Sequence, residues 1–196
     1  MLFDTVWATG GRLQRPRPES SSACGPLGGA FTSAWPQLRE RLEAGAQGLA
    51  ELIDHERGVF VLDNPGAYVI PMYFETYEEA TERVAKLRAD DYSFTCSEPS
   101  DGPTPSFSCD TELWSRQGCV VTRAPEFSVA RWYDLAVEYE LMENEEVSAD
   151  REKARQADAS IEYGVYTTDT SLGLYFAKTS CAWRVVAIDV ITPCSA

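Results

Sequence analysis

Four side chains of this sequence have the chemistry for acid–base work: Asp63, Glu75, Asp189 and Tyr175. A carboxyl group raised in pKa by an apolar cavity takes up and returns a proton near neutral pH. The spacing of these residues does not draw them together, so geometry must decide. Two of them converging in one closed apolar cavity would make a small pocket enzyme, an isomerase or hydrolase using a buried carboxylate. The same groups scattered around a filled core would make a binding domain. Asp189 has two readings of its own. It is either a carboxylate at a solvated strand end, paired with an arginine or a backbone amide, or an acid lining a pocket.

Other chemistry is thinner. His55 is the one histidine, flanked by Asp54 and Glu56. Adjacent side chains do not converge, so it reads as a surface or loop-anchoring residue. A second histidine for a metal site is missing. The sequence has no Gly-x-Ser-x-Gly, no glycine-rich phosphate loop and no Gly-x-Gly-x-x-Gly, so neither a nucleophile elbow nor a cofactor is expected. Net charge is −14, from 31 acids against 17 bases. Phosphate contacts need clustered lysine and arginine, which excludes nucleic acid as the expected partner. Acids are densest between positions 134 and 152. They read as a solvated helix face, or as a docking surface for a basic protein carried by Asp134, Glu138 and Glu145. The alternating Asp/Asn and Gly of a calcium loop are absent there. The expected partner is therefore a small ligand or a basic protein surface. No apolar run reaches the roughly 18–20 residues of a membrane span.

Six cysteines, Cys24, Cys96, Cys109, Cys119, Cys181 and Cys194, form no Cys-x-x-Cys pair. An even number in loops and at strand ends predicts disulfides and an oxidising compartment, hence an exported protein. Fifteen pairings are open by combinatorics, about as many as six cysteines allow. Cys96–Cys109 is the most local. Cys181–Cys194 is disfavoured, because the intervening strand would hold its ends roughly 30 Å apart. The first ten residues are too short and too polar for a signal-peptide core, so no leader is visible. Residues 1–28, rich in Gly, Pro, Ser and Arg, read as a disordered or loosely attached leader, and 29–196 as one α+β domain.

The elements that must position the acids follow from periodicity. Residues 161–168, 172–178 and 183–192 are strand-length, aromatic and β-branched, and joined by short turns, which predicts a C-terminal antiparallel meander. Leu172, Leu174 and Phe176 share one face, and Gly173, Tyr175 and Ala177 the other. In the last strand Val186, Ile188 and Val190 share a face, opposed to Trp183, Val185, Ala187, Asp189 and Ile191. Both faces are apolar, so this strand is central and covered on both sides. Trp35, Leu38 and Leu42 mark a first helix capped by Thr32 or Ser33, followed by a short helix over 47–53. Residues 59–62 and 67–70 form a hairpin about Asn64-Pro65-Gly66. Thr76 and Glu79 form a capping box for a helix to Arg88. Short strands are expected at 92–96 and 106–109, and another at 119–123. Ser128 caps the longest helix, with Trp132, Leu135, Ala136, Tyr139 and Met142 on its buried stripe. The fold class is α+β: a curved antiparallel sheet covered by amphipathic helices.

In its order of elements the chain is similar to the cone-shaped α+β domains of the nuclear-transport-factor-2-like superfamily. The likeness is carried by 35–42, 59–70 and 161–192, and the long helix before the meander departs from it. The closing Trp183-Arg-Val-Val-Ala-Ile-Asp189 and Cys194-Ser-Ala resemble the tails of uncharacterised exported bacterial envelope proteins. The superfamily resemblance implies a curved sheet around a helix-covered pocket. It transfers no catalytic residue, because enzymes and non-enzymatic binders share that scaffold. The leading expectation is a non-enzymatic, exported ligand- or protein-binding domain. The rival is the pocket enzyme built on Asp189, Asp63 or Tyr175.

Overall fold

A computed structural model describes residues 29–63, 68–87, 92–96, 98–179 and 181–190. The meander forms as its alternation requires, from β7 (Ile161–Thr167), β8 (Leu172–Lys178) and β9 (Trp183–Val190), each antiparallel to the next. On its other edge β9 runs parallel to β1 (Val59–Asp63), which is antiparallel to β2 (Ile70–Phe74). Beyond β7 lie β6 (Cys119–Arg123), antiparallel to it, and the short β3 (Ser100–Asp101), parallel to β6. The seven-stranded order is β2-β1-β9-β8-β7-β6-β3. The expected all-antiparallel sheet is thus corrected to a mixed one. A parallel neighbour needs a long crossover, and the whole helical middle of the chain lies between β1 and β9. A separate ribbon pairs β4 (Phe107–Ser108) with β5 (Leu113–Trp114). Residues 92–96 are not a strand: Tyr92, Phe94 and Cys96 are buried on the core without a ladder partner.

Helices cover both faces. On one side α1 (Phe31–Glu43), α2 (Ala46–Ala50) and α3 (Tyr77–Arg83) close the larger core, with Leu38, Leu42, Leu49, Leu174 and Phe176 fully buried. On the other, α4 (Val129–Glu138) and α5 (Asn144–Ser160) cover Phe60, Leu62, Tyr166, Tyr175 and Ala187. Neither Thr32 nor Ser33 caps α1. The helix starts at Phe31, behind Ala30, and no side chain caps it. Phe31 is drawn in by stacking on Tyr163, with ring centroids 4.2 Å apart, and by edge contact with Trp183 at 5.1 Å. The Thr76–Glu79 capping box forms, but α3 ends at Arg83, followed by a 3-10 turn over Ala85–Leu87. Ser128 caps α4 as expected, yet α4 has 10 residues and α5, with 17, is the longest helix. Between them Glu140 takes a left-handed φ of 58°, and the Leu141 and Met142 amides both turn back to the Ala136 carbonyl. No helix among the described residues is long and apolar enough to cross a membrane.

A bulge corrects the faces of β9. Tyr175 pairs with Ala187 but Phe176 pairs with Val185, so Val186 is an inserted residue. The phase flips there. Trp183 and Val185 join Ile188 and Val190 in the larger core, while Val186 and Ala187 lie on the α5 side with Asp189 one step on.

Cys96 is bonded to Cys119, with Cα atoms 5.2 Å apart, which corrects the expected Cys96–Cys109 bridge. Both are buried, whereas Cys109 follows β4 on the exposed ribbon. Cys109 and Cys181 are also disulfide-bonded. Cys24 and Cys194 lie outside the described residues, as do residues 1–28 and the expected turn about 64–66. The Cys96–Cys119 bridge closes a loop of 23 residues. A Cys96→Ser, Cys119→Ser double variant is expected to lose about 2–3 kcal/mol of unfolding free energy. An unchanged urea midpoint would show that the bridge does not contribute.

Candidate functional site

Asp189 lies in the middle of the sheet, between Gly173 of β8 and Leu62 of β1, and Tyr166 of β7 extends the same row. The next row on that face is Gly164, Tyr175, Ala187 and Phe60. Two glycines shape the surface. A Cβ at position 164 would come 2.7 Å from the Tyr166 hydroxyl. One at 173 would come 3.3 Å from the Asp189 Cβ and 3.4 Å from Tyr166 Cδ1. Tyr166 therefore lies down along the sheet over both, an arrangement that side chains at these positions would obstruct.

The tyrosines are tied to their surroundings. Tyr166 Oη is 3.3 Å from Thr104 Oγ1 and is hydrogen-bonded to Tyr175, and the two rings meet edge-on at 5.7 Å. Phe127 stacks on Tyr175 with centroids 3.4 Å apart. The start of α4 fixes Phe127. Ser128 Oγ accepts from the Arg131 amide and donates to Asp158 Oδ2, and the Val129 and Ala130 amides donate to the same carboxylate at 2.8 and 3.0 Å. Asp158 of α5 thus satisfies the free amides at the positive end of α4. Thr104 is carried by a loop held at Gly102, whose carbonyl accepts from Thr122 Oγ1 and whose amide donates to the Val121 carbonyl. The Cys96–Cys119 bridge anchors the chain leading into that loop.

Asp189 forms no hydrogen bond or ion pair with the described residues. It is only partly exposed. Removing water without supplying a partner disfavours the charged form, and its pKa rises from 3.8 to about 7. Burial, then the nearby Asp189 charge, pushes the Tyr175 hydroxyl well above its ordinary value. Burial raises Tyr166 as well. Both phenols stay protonated at neutral pH, so Asp189 is the group of this trio that titrates there.

Asp189 and Tyr175 are thus brought together, and Asp63 and Glu75 are not. Asp63 ends β1 beside Val190, one residue beyond Leu62 and so on the opposite face. Glu75 is exposed after β2, and its amide donates to Glu79 Oε2 in the cap of α3. His55 is exposed in the turn that the Gly58 amide closes onto the Asp54 carbonyl, at the edge of a wide depression shared with Arg184. Of the acidic face, Asp134 lies 3.4 Å from Arg151 across α4 and α5, and Glu138 and Glu145 are exposed. Among the described residues no three His, Cys, Asp or Glu side chains cluster as a metal site. A cavity of about 450 Å³ opens farther along the Asp189 face, between β1–β2 and the second half of α5. Phe60, Tyr73 and Val186 line it, and the Lys153 ammonium stands 3.7 Å over the Tyr73 ring.

No family model, curated protein or solved structure matches this chain.

Its site must be read from its own residues. Tyr166, Thr104 and Phe127 were not singled out by sequence reasoning. The available signal was the pair of glycines inside strong strand patterns, Gly164 and Gly173.

Proposed function

We propose that this chain is a non-enzymatic binding domain of an exported protein, and that its ligand seats against Asp189. One observation carries the reading: a central strand holds a carboxylate, partly open to solvent, that no described residue pairs. Such a group lowers stability, and proteins retain costly groups where function uses them. Tyr166 and Tyr175 stand beside it, held in turn by Thr104 and Phe127. The disulfides support an oxidising compartment.

The test is a titration of the full chain with small cationic, neutral and anionic molecules, followed through the Asp189 carboxyl and the Tyr166 and Tyr175 ring resonances. At least one class is expected to shift all three saturably. If none does so at tens of millimolar, the seat is elsewhere. The second reading, a pocket enzyme, draws on the rise of the Asp189 pKa to about 7, which suits a general base. It requires Asp189-dependent exchange of carbonyl α-protons with deuterated water. The binding reading predicts none.

A further inference from the structure

We infer that the group received by Asp189 is a primary ammonium on an otherwise apolar small molecule, an inference that rests on the seat proposed above. The carboxylate lies in the sheet with Leu62 on one side and the bare Gly173 backbone on the other. Its other near neighbours, Tyr166 and Tyr175, are neutral phenols. None of these supplies positive charge, and no described residue pairs the carboxylate, so a cation is the complement it lacks there. An anion would add a second negative charge beside the first and raise the cost of both. A neutral ligand would leave the charge as uncompensated as it is now. An ammonium removes that cost and forms a charge-assisted hydrogen bond with the carboxylate. Beyond the two tyrosines stand Phe127 on Tyr175 and Thr104 on Tyr166, both partly exposed, one apolar and one hydroxylic. They suit the carbon chain and a remaining N–H of an alkylamine. Gly173 lets Tyr166 lie close beside Asp189, and a side chain there would press on both. The net charge of −14 draws cations towards the protein from beyond contact distance.

The experiment titrates the full-length chain with n-butylammonium chloride at pH 8, where Asp189 is ionised, against sodium chloride at the same ionic strength. Acetamide and acetate are run in parallel. Butylammonium is expected to shift the Asp189 carboxyl and the two tyrosine rings saturably, and sodium chloride is not. Tetramethylammonium, which lacks N–H donors, is expected to bind more weakly. Asp189→Asn should weaken butylammonium at least about tenfold, the scale of losing one hydrogen bond to a charged group. Gly173→Ala should weaken it while Asp189 remains. If acetamide or acetate moves these resonances and butylammonium does not, the ligand class is wrong and the seat stands. If none of the three moves them, both fall. Butylammonium binding that survives Asp189→Asn also overturns the inference.

Discussion

Replacing Asp189 with Asn is expected to stabilise the protein by about 2–4 kcal/mol at pH 8 and by almost nothing at pH 4. In the unfolded chain this carboxyl ionises near 3.8, and in the folded protein near 7. Below about pH 4 it is protonated in both states and imposes no penalty. Between about pH 4 and pH 7 the unfolded chain releases the proton while the folded protein keeps it. Stability therefore falls by about 1.4 kcal/mol per pH unit across that window. Above about pH 7 both states are ionised and the penalty is constant, about 4 kcal/mol in full. The amide of Asn is still a buried polar group, so the variant recovers part of this. Tyr166 and Tyr175 remain protonated throughout the window, so the difference between the two proteins isolates Asp189. Urea midpoints at pH 4 and pH 8 measure it. A variant that is less stable at pH 8 would mean that Asp189 is already paired, and the argument for an external ligand would end there. A residue whose replacement strengthens the fold and weakens binding is the pattern of a site kept at the expense of stability.

The C-terminal strands were legible because their alternation and turn spacing are local signals. The parallel pairing of β1 with β9 was not. A strand apolar on both faces reads alike for parallel and antiparallel neighbours, and these two are far apart in the chain. Alternation also carries no phase through an apolar run. Val185, Val186, Ala187 and Ile188 admit a bulge without altering the hydrophobic pattern, and so the face of Trp183 was misread. The disulfide was misassigned on proximity. Closing a loop of 23 residues rather than one of about 13 costs only about 0.5 kcal/mol more, too little to select a partner. Burial decided it, because Cys96 and Cys119 both face the larger core. At the site, two residues were identified from their types. The three around them have ordinary types for strands and loops: Tyr166 reaches Asp189 over Gly173, and Thr104 and Phe127 join only through Tyr166 and Tyr175.

Gly48→Ala is expected to destabilise the protein by about 3–4 kcal/mol, although in an exposed helix the same change stabilises by nearly 1 kcal/mol. Gly48 lies in α2, where that helix crosses the end of α1. A Cβ there would overlap the Arg41 carbonyl oxygen and come 2.6 Å from its carbon. The obstacle is backbone, not the end of a flexible side chain, so α1 and α2 must move apart. Leu38, Leu42, Leu49 and Leu52, all fully buried, would loosen together. Gly45→Ala is the control. Its φ is 78° and no atom lies within 4 Å of an added Cβ, so it is expected to lose only about 1 kcal/mol. Urea unfolding of the two variants separates close approach from backbone conformation. Equal losses would show that the α1–α2 crossing has room for a Cβ at position 48. The crossing packs on the sheet face opposite Asp189, with no shared partner, so the two effects should add. In Gly48→Ala the whole stability curve should drop, while its pH dependence between 4 and 7 keeps the slope that Asp189 imposes.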